Sequence, residues 1–472
     1  MKSLSVWILL ALILAPWAFA PAASAADSPQ FRGPNRDGKY NDTGLLKSWP
    51  EAGPPVVWVA HGLGKGYSTV SVVGGKIYTT GMADDLSGSL FVLNMDGKIE
   101  KTLPYGKDTD VVQAPGPRST PTIDGERAYL TSGPGVVYCL DVVAGEKLWE
   151  ANILERFGGQ NTEWHLAESL LVDGDRLICT PGGPALVAAL NKMNGETIWT
   201  TGGLNDVTSY CSPAIVNHNG RRLLLTETSK FVVGIDADTG KLLWTHPHET
   251  KYDIHAVTPI YNNGLVYFTG GYGSGGGALE LSQDGSSVSL KWADKTLDSQ
   301  HHGVVLVDGY LYGCGHNNAS LICLEMATGK VMWTTKEIKT GAVVYADGML
   351  YVYEGPKAGV VSLVKAVPTG FERTGMFKVT EGADNHWAHP VIANGRLYIR
   401  HGEALIAYDV AQKRAVAPAT EPQQVEPQKT TASSQPGGGT FLYDEVVWLG
   451  VAILCLFAFM LFLFYKSKRK TR

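Results

Sequence analysis

One pattern governs what this chain can fold into. A turn dipeptide ending in glycine recurs eight times: Gly74-Gly75, Asp124-Gly125, Asp173-Gly174, Asn219-Gly220, Asn263-Gly264, Asp308-Gly309, Asp347-Gly348 and Asn394-Gly395. Successive second glycines lie 50, 49, 46, 44, 45, 39 and 47 residues apart, so a unit of roughly 45 residues repeats along the body of the chain. Asn-Gly and Asp-Gly favour two-residue hairpins, because both turn positions need φ > 0. After each hairpin comes an apolar strand ending in a polar residue, then often a glycine and a tryptophan, most clearly at Asp141/Gly145/Trp149, Asn191/Gly195/Trp199, Asp236/Gly240/Trp244 and Glu325/Gly329/Trp333. Each unit therefore reads as a four-stranded antiparallel blade. One such sheet cannot bury both its faces alone, whereas eight stacked radially close into a ring with tryptophan filling the gaps. The predicted fold is an all-β, eight-bladed β-propeller over residues 54–411, after an N-terminal extension at 26–53. The last unit ends at Asp409 without an outer strand, and a spare strand, Pro54 to Trp58, precedes the first hairpin. That strand is expected to complete the eighth blade and leave no open edge.

The two ends point to a membrane. Residues 1–25 combine Lys2, an apolar run from Leu4 to Ala20 and the small-x-small pattern Ala23-Ser24-Ala25, the composition of a secretory signal peptide. Residues 412–440 are rich in Pro, Gln, Thr, Ser and Gly and read as a disordered linker. From Val446 to Tyr465 no residue is charged, a length that crosses about 30 Å of hydrocarbon as a transmembrane helix. The basic tail at 466–472 then belongs in the cytoplasm. The expected location is a single-pass membrane protein with its propeller on the exported side, periplasmic or extracellular. Removing Lys2 and the five tail cations from the net charge of −5 leaves −11, which excludes a nucleic-acid partner. Of six cysteines, Cys455 falls in the apolar span and Cys139, Cys179 and Cys323 in apolar strands. Cys314 and Cys323 flank one hairpin, where pairing is open. A monomer is expected.

In a propeller the loops leading into the innermost strands gather at one channel mouth, where function belongs. These loops carry Tyr67, Arg118, His165 with Glu168, Tyr210 with Cys211, His255, His301 with His302, and His386 with Trp387 and His389. Six of the twelve histidines thus fall at one structural position, and His316 and the loop Gly270 to Gly277 join them. A funnel of imidazoles suits a transition ion held by His165, His255, His302 and His389 with Glu168 or Cys211; the oxygen ligands that calcium needs are scarce. The glycine loop is no phosphate cradle, since no helix follows it.

The stretch Asp236-Ala-Asp-Thr-Gly-Lys-Leu-Leu-Trp244, with its relatives, resembles the pyrroloquinoline quinone (PQQ) repeat, over Pro54 to Val410. Gln30 to Gly38 and Trp164 to Ser169 look like a group of exported bacterial PQQ-like propellers. The superfamily holds both calcium- and PQQ-dependent alcohol dehydrogenases and a cofactor-free outer-membrane-protein assembly lipoprotein. The resemblance to the first implies an oxidoreductase of alcohols or sugars. Arg118 would then pair with PQQ carboxylates, Tyr67 and a stacking Trp164 or Trp387 would hold the ring, and His302 or Glu168 would abstract the proton. The chain lacks the adjacent cysteine pair and the C-x-x-C-H haem motif of those enzymes. It also lacks the lipobox cysteine of the lipoprotein. Two classes of function follow: a propeller binding PQQ, a metal or another small-molecule ligand, or a non-catalytic scaffold for partner proteins at the membrane.

Overall fold

Strand pairing groups residues into eight sheets, each corresponding to one sequence repeat. The computed structural model describes residues 27–412. Blade four shows how a repeat makes a blade. Its strands are Ala214–His218, Arg221–Glu227, Phe231–Asp236 and Leu242–Pro247, paired antiparallel in chain order. Asn219 (φ 50°) and Gly220 (φ 88°) make the first turn. Leu223, Leu224 and Leu225 are all fully buried, because both faces of a blade press on neighbours rather than one face meeting water. In blades two and three the glycine takes the first turn position instead of the second, since Asp124 pairs with Arg127 and Asp173 with Arg176.

The spacing of glycine and tryptophan has a reason the repeat alone does not show. A Cβ on Gly240 would lie 2.4 Å from the indole of Trp199, which belongs to the preceding blade. Gly195 stands in the same way against Trp149, Gly329 against Trp292 and Gly97 against Trp58. The glycine thus turns its own strand (φ 75° at Gly240) and makes room for its neighbour's ring. Trp149, Trp292 and Trp58 also donate their indole N–H to backbone carbonyls of the next blade, Lys192, Met326 and Met95.

The ring closes as the spare strand implied, two residues later than expected: Val56–Ala60 pairs antiparallel with Ala404–Asp409. Arg400 fastens the seam. Its fully buried guanidinium donates to the carbonyls of Gly402, Thr80, Leu63 and Gly64 and to the Thr79 hydroxyl, and burial lowers its pKa to about 9.

Two features depart from the uniform plan. Blade seven has five strands, because Lys39–Tyr40 pairs parallel with Gly341–Ala346. And the stretch set apart as an extension is built into the ring. Ser28 bridges to Val72, Pro29 accepts from the Ile123 amide, Arg36 donates to the Ser169 and Leu170 carbonyls, Arg32 to those of Val304 and Val343, and Gly38 accepts from Tyr345. These partners belong to the innermost strands or their approaches in blades one, two, three, six and seven, so the segment stoppers the central channel. Cavities lie on either side of it, one of about 320 Å³ touching Arg32 and Arg36 and one of about 550 Å³ touching Phe31.

The five cysteines among the described residues are buried and free. Register forbids the pairing left open for Cys314 and Cys323: Cys323 faces Tyr312, whereas Cys314 faces Leu321. The signal peptide, the transmembrane helix at 446–465, the basic tail and nearly all of the linker lie outside the described residues, within which no helix is long and apolar enough to cross a membrane.

Candidate functional site

The residue seven places before each blade's first turn is Tyr67, Arg118, Ala167, Ser212, Ala256, His301, Thr340 and Trp387. All eight line the 550 Å³ cavity at the channel mouth. The regularity follows from extended backbone, whose side chains alternate between faces. Two residues further along, Thr69, Thr120, Ser169 and His389 line the same chamber, while intervening positions such as Glu168 turn between the blades and His302 alone of them lines the chamber.

Aromatic rings form two facing walls. On one side, Tyr67 packs on Trp387 (centroids 5.1 Å apart), Trp387 on His301 (5.6 Å) and His301 on His302 (4.3 Å). Across the ring, Trp164 packs on Tyr210 (6.4 Å) and, through Tyr252, leads to Tyr272, which packs on His316 (4.5 Å). Phe31 of the plug sits edge-on to His389 and forms part of the floor. Arg118 is the one arginine lining the chamber and no lysine joins it. Its guanidinium donates to the carbonyls of Trp164 and His165, leaving Nε buried without a partner.

The imidazoles differ in what remains free on them. His389 is used up: its Nε2 donates to the His301 carbonyl, its Nδ1 faces the Arg32 guanidinium, and burial holds its pKa down to about 3. His301 Nε2 and His302 Nδ1 are buried with no hydrogen-bond partner. Burial lowers the pKa of both, His301 to about 4, so they meet a ligand as neutral rings. Burial also pushes the Tyr67 phenol up to about 12.

Several residues singled out from sequence lie elsewhere. Glu168 occupies a between-blade position, where its carboxylate accepts from the Thr180 amide and hydroxyl; burial pushes it up to about 7. It does not reach the chamber to act as a base there. His165 (φ 64°) bonds the Thr109 hydroxyl, and its neighbour Trp164 lines the wall instead. The Cys211 thiol donates to the Ser212 and Val257 carbonyls, and burial beside Glu227 pushes it up to about 12, which keeps it protonated. His386 bonds Tyr353 and stacks on His401. His255 is fully buried beside Glu227 and His248. His165, His255, His302 and His389 therefore make no single ligand set; only the last two line the chamber. Tyr272 comes from the glycine loop expected at this mouth, whereas Gln300, whose amide donates to the Tyr272 hydroxyl (2.7 Å), and Phe31 join the chamber unannounced by the sequence reading.

The donor set decides what the chamber suits. Facing rings and one guanidinium fit a flat, carboxylated ring such as PQQ. Among the described residues no carboxylate lines the cavity, so a calcium-type cation would lack the carboxylate ligands it favours.

A family model described as outer membrane protein assembly factor BamB matches residues 102–335, just under half of the chain. Among curated proteins, BamB of Moranella endobia is 22% identical over 233 residues, 49% of this chain and 48% of that protein. BamB of Shewanella oneidensis is 22% identical over 239 residues, 46% of this chain and 57% of that protein. The chain thus spans about half the length of the curated relatives it matches. Among solved structures, BamB from Moraxella catarrhalis superposes with a TM-score of 0.56 at 16% identity, covering 75% of this chain and 99% of that one. A europium-containing methanol dehydrogenase gives 0.60 at 12% identity, covering 80% and 90%. Quinohemoprotein alcohol dehydrogenase from Comamonas testosteroni gives 0.58 at 12%, covering 86% and 83%. At such identities the likeness is one of fold, and fold leaves function to the site.

Proposed function

We propose that this chain, a PQQ-repeat propeller, binds a small flat anionic ligand in its mouth chamber, as an exported protein anchored by its C-terminal apolar span. The observation that carries this reading is the convergence on one aromatic-walled cavity of the Arg118 guanidinium and the His301 and His302 imidazoles. Nitrogen groups set in a largely apolar wall reward a ligand that carries acceptors. Trp387 and Trp164 would sandwich or flank its ring, and Arg118 would neutralise one carboxylate. PQQ meets the aromatic and guanidinium requirements.

Calorimetric titration of the purified chain with PQQ, in the presence of a chelator, tests the reading. Saturable binding that weakens at least tenfold in Trp387→Ala and in His302→Ala supports it. Absence of binding, or binding untouched by both substitutions, overturns PQQ as the ligand. The relatives named as assembly factors favour a second reading, a scaffold that docks partner proteins at the membrane. That reading gains if cross-linking in the native host captures defined partners whose yield is unaffected by the same two substitutions.

A further inference from the structure

Behind the chamber wall, at the seam between blades four and five, three side chains meet that neither the repeat nor the chamber explains. Glu227 ends the strand Arg221–Glu227, His248 follows Leu242–Pro247, and His255 precedes the innermost strand of blade five. Their side chains are 0%, 7% and 0% exposed. Each imidazole places Nδ1 2.9 Å from the same oxygen, Glu227 Oε2. Each turns Nε2 toward a backbone carbonyl, Gly275 for His248 (3.2 Å) and Ser229 for His255 (3.0 Å).

Proton bookkeeping makes this arrangement unusual. A carbonyl can only accept, so each Nε2 is placed to donate, which leaves Nδ1 of a singly protonated ring as a lone pair aimed at a carboxylate oxygen. The three side chains bring ligand atoms within 4.8 Å of one another, and a proton bridges His248 Nδ1 and Glu227 Oε2 (2.9 Å) when no cation is present. One added proton would satisfy one imidazole only. In keeping with this, His255 Nδ1 and Glu227 Oε1 are buried with no hydrogen-bond partner. A single dication satisfies all three donors together.

We propose that Glu227, His248 and His255 bind one transition-metal dication of the zinc class, clamping blade four to blade five. Two imidazoles and a carboxylate are zinc-type ligands, and imidazoles that ligate zinc characteristically hand their other N–H to a carbonyl. Zinc bonds of about 2.0–2.2 Å put tetrahedral ligand atoms about 3.3 Å apart, so the two 2.9 Å Nδ1–Oε2 distances need open by only a few tenths of an ångström. The Cys211 thiol, engaged with two carbonyls, leaves the fourth position to water. The site is independent of the chamber, whose lining includes Ile254 and Ala256 but not His255.

The test uses the full chain, stripped with chelator and dialysed against zinc alone. The expected result is one zinc per chain by elemental analysis, a Tm raised by zinc, and intense visible bands on cobalt substitution, as four-coordinate N/O sites give. Glu227→Gln and His248→Gln keep volume and hydrogen bonding, and each should lose at least tenfold in zinc affinity together with the zinc-dependent Tm shift, while circular dichroism stays that of the parent. His302→Ala should keep both the stoichiometry and the Tm shift. Well under one zinc per chain in the parent protein overturns the proposal, as does undiminished zinc binding in the two glutamine variants. Either result leaves the trio a hydrogen-bonded ion cluster.

Discussion

Ile254, His255 and Ala256 are consecutive, yet they serve two different places. Ile254 and Ala256 line the mouth chamber, while His255 enters the seam between blades four and five. The chamber is walled by rings with space beside them; the seam holds a carboxylate and two imidazoles at under a tenth exposure. The contrast teaches that, in the approaches to the innermost strands, one step along the chain separates residues available to a ligand from residues that hold blades together. Substitution should therefore show strong effects on stability on one face and weak ones on the other.

The largest effect is expected at the seam. In the metal-free protein, His255→Ala empties a fully buried position beside Glu227, and truncating a buried side chain of this size costs about 2–5 kcal/mol. Chemical denaturation measures it, and a loss below 1 kcal/mol would erase the distinction between the two faces. Next comes the contact between blades: Gly240→Ala must fit a methyl against Trp199 at φ 75°, for an expected loss of about 2–3 kcal/mol from overpacking and backbone strain together. Gly220→Ala, with nothing within 4 Å of the new Cβ, should lose only the backbone part, about 1 kcal/mol.

Glu168 sharpens the comparison through pH. Its pKa is raised from 4.5 to about 7 by burial, so the folded state holds its proton more tightly than the unfolded state. The stability this confers is complete below pH 4.5 and is lost as pH rises through about 7. Glu168→Gln keeps both contacts with Thr180 and cannot ionise. It should therefore raise stability by about 1–3 kcal/mol at pH 8, with little change at pH 4, and flatten the pH dependence between. An equal effect at both pH values would show that the carboxyl is not buried in the folded state. The smallest effect belongs to the chamber: His301→Ala should shift stability by less than about 1 kcal/mol, a bound that thermal melting checks.

The blades were legible in the sequence because turn glycines and outer-strand tryptophans recur with the repeat, and closure because Val56–Ala60 was a strand without a blade. The chamber was half legible. Histidine enrichment pointed to the right mouth, but the reading took Glu168, Cys211 and His255 along with their neighbours, though alternation turns these three between blades. Counting positions from each turn would have preferred Ala167, Ser212 and Ala256. His302 breaks that rule, lining the chamber from an even position beside His301. Phe31 and the plug had no such signal, since Gln30 to Gly38 belongs to no repeat. Glu227 and His248 were hidden too: Glu227 ends an ordinary strand and His248 follows one, and the meeting of Glu227 with His248 and His255, 21 and 28 residues further on, is tertiary.

The stopper in the channel also sets an order of assembly. Its partners run from Val72 near the start of the ring to Tyr345 and Pro390 near its end, so its berth is complete only once blades from both ends of the ring stand in place. The earliest folded-body residues to be synthesised are thus the last to dock, and loop closure on this scale makes for slow, cooperative folding. During refolding, the Tyr345 amide, which donates to Gly38, should gain protection from hydrogen exchange later than Leu224, whose strand pairs lie within blade four; simultaneous protection would refute the order. A propeller finished in this sequence has no stable half: a chain cut short before its final blade leaves its beginning without a place to bind.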